Sequence, residues 1–257
     1  MDFDPDRLDR RDPELIARVQ PLVRLFNERW LRLRVEGLEN LPQGPALLVS
    51  NHNGGIAAPD VPCTFGTIWD LHGAETPLYG LAHDFAMRQL RPFGAAIQRF
   101  GALRASRDNA LRALAAGALV LVYPGGDLDA YRHARRRDEV VFGPRTGFVR
   151  VAVEAGVPVV PVVLQGAHRS AWVFHEGEEL ARWLRLPERA RLERFPLALA
   201  LPWGLAVGPW LPYLPLPFPV RLRVLPPVRL DRGVDPAEAR EHVRELMQTA
   251  LDRMARP

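Results

Sequence analysis

A chain of 257 residues, 47% of them hydrophobic, has enough apolar material for one large α/β domain and is not wholesale disordered. The formal charge of +4 rests on arginine alone: lysine is absent, which excludes the lysine-bearing phosphate loop of nucleotide enzymes and points to coding bias or to phosphate-bearing partners. The single cysteine, Cys63, excludes an internal disulfide and a thiolate metal cluster, and it suits a reducing compartment.

Residues 1–12 are charged and lack the apolar stretch of a signal peptide, and no clean span of about 20 apolar residues follows anywhere. A first helix is predicted from Asp12, with Pro13 in its first turn and a kink at Pro21. Leu15, Val19, Leu22, Phe26, Trp30 and Leu33 recur on it at helical spacing among arginines. It is either an ordinary packed helix or one lying in a lipid interface. Ala46 to Val49 reads as a buried strand. Ser106 caps a helix that runs through Ala116 and is closed by Gly117, and Leu119 to Tyr123 is the next strand. Gly147 to Ala155 is a helix ended by Gly156, followed by a strand over Val157 to Leu164 that Pro158 and Pro161 weaken. Asp235, Pro236 and Glu238 start the last helix, whose apolar stripe includes Val243, Met247 and Leu251. Strand, helix and strand at this spacing imply a single α/β domain with a mostly parallel central sheet flanked by helices. Residues 1–35 form an N-terminal amphipathic segment and residues 36–257 the main domain.

Two glycine turns sit at strand ends, where α/β proteins place ligands. The first is Ser50-Asn51-His52-Asn53-Gly54-Gly55, with Asp60 downstream; the second is Tyr123-Pro124-Gly125-Gly126-Asp127-Leu128-Asp129-Ala130-Tyr131-Arg132. A histidine titrates near neutrality, and glycines let a substrate approach backbone N–H groups. Gly101 to Arg107 lies at a helix start between them, where Arg104 and Arg107 suit an anion. Residues 195–220 carry no charge but seven prolines, with Trp203, Trp210 and Tyr213 of the membrane-interface type. This stretch is either irregular packing or an apolar flap on a leaflet.

The order of these segments resembles the glycerolipid acyltransferase superfamily, which includes the bacterial PlsC-type enzymes. That family carries N-H-x-x-x-x-D, then G-x-x-F-I-x-R, F-P-E-G-T-R-S and V-P-I-V-P-V. The chain offers Asn51-His52, Gly101 to Arg107, Tyr123-Pro124-Gly125-Gly126 and Val157-Pro158-Val159-Val160-Pro161-Val162. Asp60 follows His52 by eight positions where the family pattern has five, and Gly125 stands at the family's glutamate. The glycine-rich forms look more like the diacylglycerol and monoacylglycerol acyltransferase branch.

The resemblance implies O-acyl transfer from acyl-CoA or acyl carrier protein to a hydroxyl of a lysophospholipid or other glycerolipid. His52 would be the general base and Asp60 its orienting carboxylate, with Asp84, Asp127 and Asp129 as competitors for that place. Amides near Gly54, Gly55, Gly125 or Gly126 would bind the oxyanion. Arg104, Arg107, Asp127, Asp129 and Arg132 would meet the acceptor or a phosphate. It implies no metal and no cofactor beyond the co-substrate, a membrane surface as partner, and a cytoplasmic protein on the inner face of the cell membrane. The arginines lie scattered among acids without a nucleic-acid motif, so nucleic-acid binding is not expected. A serine hydrolase is disfavoured by the lack of a G-x-S-x-G elbow. A non-catalytic lipid-binding protein on the same fold is the main rival, and the His52–Asp60 spacing is its best argument.

Overall fold

The computed structural model describes residues 3–53, 55–208 and 214–255. Among the described residues ten strands run in chain order: β1 (Arg34–Glu36), β2 (Ala46–Ser50), β3 (Leu78–Ala82), β4 (Ala102–Arg104), β5 (Leu119–Val122), β6 (Val159–Gln165), β7 (Trp172–His175), β8 (Leu197–Ala200), β9 (Gly204–Val207) and β10 (Arg221–Val224). Seven form one sheet in the order β1-β10-β6-β2-β5-β3-β4, parallel throughout except where β10 meets β6. The remaining three form a small antiparallel sheet, β7-β8-β9. The expected mostly parallel α/β architecture is therefore present. The small sheet, the strand β3 and the three-residue strands β1 and β4 are additions to it.

Nine α-helices accompany the strands among the described residues: α1 (Pro13–Leu25), α2 (Asp60–His72), α3 (Arg91–Gln98), α4 (Arg107–Ala115), α5 (Gly126–Ala130), α6 (Gly147–Ala155), α7 (Glu178–Trp183), α8 (Leu186–Ala190) and α9 (Pro236–Ala255). Alternation along β2 divides the core. Leu47 and Val49 pack with α4, α6 and α9 on one face, whereas Ala46 and Leu48 pack with α1 and α2 on the other. Local signals set several boundaries. The Asp12 side chain accepts from Leu15 N at 2.9 Å, Ser106 caps α4 through Asn109 N at 3.2 Å, and Gly156 ends α6 at φ +65°.

Three expectations change. The helix α1 runs on through Pro21 into a π-turn over Phe26–Trp30, closed by Leu31 N donating to Phe26 O. Its buried residue is Ile16, while Leu22, placed on the inward stripe by spacing, is 66% exposed. Gly66 on α2 allows the close approach of α1: a Cβ there would lie 2.7 Å from Asn27 Nδ2 and 2.9 Å from Val23 Cγ1. Pro161 occupies the interior of β6 without breaking it. A residue's N and O point to the same neighbour, and Pro161 O accepts from Leu225 N, just beyond the end of β10. The missing N–H thus falls where the ladder has already finished, and the pairing with β2 is untouched.

The apolar 195–220 stretch is neither one flap nor uniformly buried. It supplies the β8–β9 hairpin, and Phe218 and Val220 return to the main core. Trp210 and Tyr213 lie outside the described residues.

Candidate active site

Because β2, β5 and β6 are parallel neighbours, their carboxyl ends open on one edge of the sheet. His52 stands there, two residues past β2. Buried amide side chains hold its loop. Asn51 donates through Nδ2 to Leu164 O and accepts at Oδ1 from Leu164 N, both at 2.9 Å, continuing the β2–β6 ladder with a side chain. Asn53 donates to the same Leu164 carbonyl and accepts from His168 N at 2.8 Å. The composition of the turn does not announce these bonds, because their partners lie more than a hundred residues away.

Past His52 the chain makes a 3-10 turn at Gly55–Ala57 and a left-handed step at Ala58, φ +41°. This turn takes up the extra length between histidine and aspartate, and Asp60 opens α2 directly beside the imidazole. Asp60 Oδ2 lies 2.6 Å from His52 Nδ1 and accepts from Asn53 N at 2.9 Å. Asp60 is fully buried, whereas the His52 side chain keeps 20% exposure. An ionised carboxylate only accepts, so the shared proton belongs on Nδ1 and Nε2 carries the lone pair. Burial alone pushes the His52 imidazole down; the Asp60 charge and hydrogen bond, with help from Asp129, outweigh this and leave its pKa raised. Tyr123, at the end of β5, stacks on the ring at 4.5 Å between centroids.

Asp129 ties the second glycine turn to the first. Its Oδ2 accepts from His52 N at 2.5 Å, and its Oδ1 accepts from Val141 N at 3.0 Å and Arg132 Nη1 at 2.7 Å. Arg132 is fully buried and also donates to the carbonyls of His52, Arg136 and Arg137. Both residues were expected at the acceptor; both instead brace the His52 loop from behind. Asp127 likewise serves the scaffold, accepting from Arg145 Nη2 at 3.0 Å and from the backbone N–H groups of Glu193 and Arg194. Arg104 is clamped by both oxygens of Asp6 and does not line the cavity described below. Arg107 does line it, paired with Glu154.

The glycines differ in the same way. Gly54 lies outside the described residues. Gly126 N donates to Tyr123 O at 3.0 Å, so this amide is committed to the turn. Gly125 is buried, and a Cβ there would come within 1.9 Å of Val141 O and 2.4 Å of Asp129 Cβ. A side chain such as the family's glutamate does not fit here without shifting the Val141 or Asp129 backbone segments. Gly55, at φ +56°, lines the cavity.

His52 borders a cavity of about 1870 Å³. Its apolar lining includes Val23 on α1, Phe65 and Trp69 on α2, and Ile97 and Phe100 around α3. Arg107, Arg145, Arg182, Arg191 and Arg194 line it as well, together with acids. His83, missed in the sequence, lines it too; its Nε2 lies 3.0 Å from Arg191 O, and burial pushes its pKa down. Cys63 is buried and its thiol pushed far up, first by burial and then by the Asp60 charge, so it is unsuited to act as a nucleophile. Among the described residues no cluster of His, Cys, Asp and Glu suits a metal ion, and no helix is long and apolar enough to cross a membrane.

Residues 32–165 match the family model described as Acyltransferase. An uncharacterized protein of Mycobacterium tuberculosis is 32% identical over 200 residues, covering 75% of this chain and 55% of that relative. The human protein named DGAT1/2-independent enzyme synthesizing storage lipids is 28% identical over 233 residues, covering 88% of this chain and 63% of that relative. The chain thus spans little more than half the length of the mycobacterial relative. Among solved structures, the 1-acyl-sn-glycerophosphate acyltransferase PlsC of Thermotoga maritima superposes with a TM-score of 0.56 at 19% identity, over 96% of this chain and 85% of that one. At that identity the likeness shows the fold.

Proposed function

The chain belongs to the Acyltransferase family, and from that premise we propose that it transfers a fatty acyl group from an acyl thioester to a hydroxyl of a glycerolipid. The observation that carries this reading is the His52–Asp60 contact of 2.6 Å, with His52 lining a cavity rich in apolar side chains. Asp60 holds the imidazole with Nε2 free. Nε2 takes the proton of the acceptor hydroxyl as its oxygen attacks the thioester carbonyl. Gly55, at the cavity wall, offers its amide to the oxyanion. The C–S bond then breaks, and the thiolate leaves with the proton held on the imidazolium. A free thiol has a pKa near 8.5, so the leaving group needs little assistance. No covalent acyl-enzyme is required.

The donor is acyl-CoA or acyl carrier protein, and the acceptor a lysophospholipid or other glycerolipid collected at a membrane surface. The rival reading, lipid binding without catalysis, drew on the lengthened His52–Asp60 spacing, and the contact removes that ground. Thiol release from acyl-CoA by the purified chain, dependent on a lipid acceptor, tests the proposal. His52→Ala should lose roughly 10²-fold or more while keeping its fold, the usual scale for a general base. Near-wild-type transfer by that variant would eliminate this mechanism.

A further inference from the structure

The sheet β7-β8-β9 has two unlike faces. Inward, Val173 and the alanines Ala171, Ala198, Ala200 and Ala206 are buried and pack against Ala57, in the loop between His52 and Asp60. Outward, the register sets Trp172, Leu199 and Leu205 side by side in one cross-strand row, 63%, 40% and 63% exposed. Phe174 and Val207 extend the row, and Leu201 and Trp203 continue it around the hairpin, all exposed. Scattered exposed apolar residues are ordinary, but a continuous sheet face of them is not.

We propose that this outer face is the surface by which the protein seats on an anionic lipid leaflet. The inference rests on the proposed lipid substrates. Several features favour a leaflet over a protein partner. The β8–β9 hairpin lies in a stretch of 26 residues without a charge. The indole N–H of Trp203 already donates to Leu214 O at 2.8 Å, so the ring enters an apolar phase without an orphaned donor. The exposed arginines Arg169, just before β7, and Arg182 and Arg185, within and just after α7, follow or precede the apolar strand β7 closely in sequence and carry charges that suit lipid phosphates. Exposed Trp172, Phe174 and Trp203 are of the aromatic type that settles at the boundary between head groups and hydrocarbon. The inner face of the same sheet packs against Ala57, a residue that lines the cavity, so the proposed docking face belongs to the element that backs the site.

The test uses the purified chain and vesicles of phosphatidylcholine with phosphatidylglycerol, read by co-sedimentation and by tryptophan quenching with acyl-brominated lipid. Trp172→Ser combined with Leu205→Ser should weaken binding roughly tenfold or more, as expected for removing two large apolar side chains from a lipid contact. Leu22→Ser with Leu25→Ser, on the exposed side of α1, should bind like wild type. Circular dichroism should be unchanged in both, because all four side chains are exposed. Full vesicle binding by the sheet variant, or loss of binding only in the α1 variant, overturns the proposal. So does a lipid-free dimer that the sheet variant dissociates while vesicle binding persists. A wild type that ignores vesicles yet acylates a micellar acceptor overturns the docking face and leaves the proposed transfer standing. A wild type that binds vesicles but acylates no acceptor counts against the transfer instead.

Discussion

In the proposed transfer the base must be neutral when its acceptor arrives, so the raised pKa of His52 would set a lower pH limit on that reaction. The rate should rise with pH through a value above the ordinary 6.5, because the Asp60 charge outweighs burial. Asp60→Asn removes the charge that raises it: the acid limb of kcat/KM should shift to lower pH while the plateau falls, since the ring loses its fixed tautomer. A limb that stays in place would show that Asp60 does not set the histidine's titration. Gly125 supports a second expectation. Restoring the family's glutamate there, or installing alanine, drives a Cβ into the Val141 carbonyl and Asp129, the residue that holds His52 N. Gly125→Ala should cost about 1–3 kcal/mol, the usual range for overpacking, and lower activity. A thermal unfolding scan with no loss would show that the Val141 segment yields freely. His52 and its glycine turns were legible in the sequence because catalytic residue types at a strand end form a local pattern. Asp60 was named among four candidates, and only folding of the Gly55–Ala57 turn chooses it. Arg132 and Asp129 were misplaced because charge is visible in a sequence whereas the burial that turns a ligand group into a brace is not.

Strands with strong apolar runs, β2, β5 and β6, were readable, and so were the capped helices α4, α6 and α9. The three-residue strands β1 and β4 were not, because nothing so short carries a period. The small sheet hid behind the prolines around β8 and β9 and behind aromatic residues that read equally as loop. At this scale Asn51 makes a prediction. Its side chain acts as one more rung between β2 and β6, satisfying both the N–H and the carbonyl of Leu164 in a site closed to water. Asn51→Ala leaves the Leu164 N–H without its partner, at about 1–3 kcal/mol for a buried group left unsatisfied, while the Leu164 carbonyl keeps the Asn53 amide. Because the rung sits beside His52, kcat should fall more than KM rises. Chemical denaturation with steady-state kinetics checks both, and Asn51→Asp, which cannot donate to the Leu164 carbonyl when ionised, should not rescue. Loss of stability with kinetics intact would confine Asn51 to the scaffold.

A chain with net charge +4 and arginine as its sole cationic side chain type besides histidine invites the expectation of a phosphate site, but the cavity does not carry that charge inward. Five arginines line it against five carboxylates, Asp84, Asp127, Glu178, Glu188 and Glu193. Arg145 is bonded to Asp127 and Glu193, Arg191 to Asp84, Arg194 to Glu178 and Arg107 to Glu154. Arg182, exposed, is the cavity arginine without an ion pair among the described residues. A phosphomonoester entering here would have to displace a carboxylate from its arginine or lie against it, and like charges brought together in a desolvated site cost several kcal/mol. A neutral acceptor pays no such penalty. The purified chain should therefore acylate a monoacylglycerol with a kcat/KM at least roughly tenfold above that for the lysophosphatidate of the same acyl chain. Raising the salt concentration should change this ratio little, because the opposing charges are partly buried and poorly screened. Steady-state comparison of the two acceptors at matched micellar concentration decides it. A preference for lysophosphatidate would mean that the carboxylates swing away on binding, and Glu193→Gln, which frees one side of Arg145, would then raise that preference further.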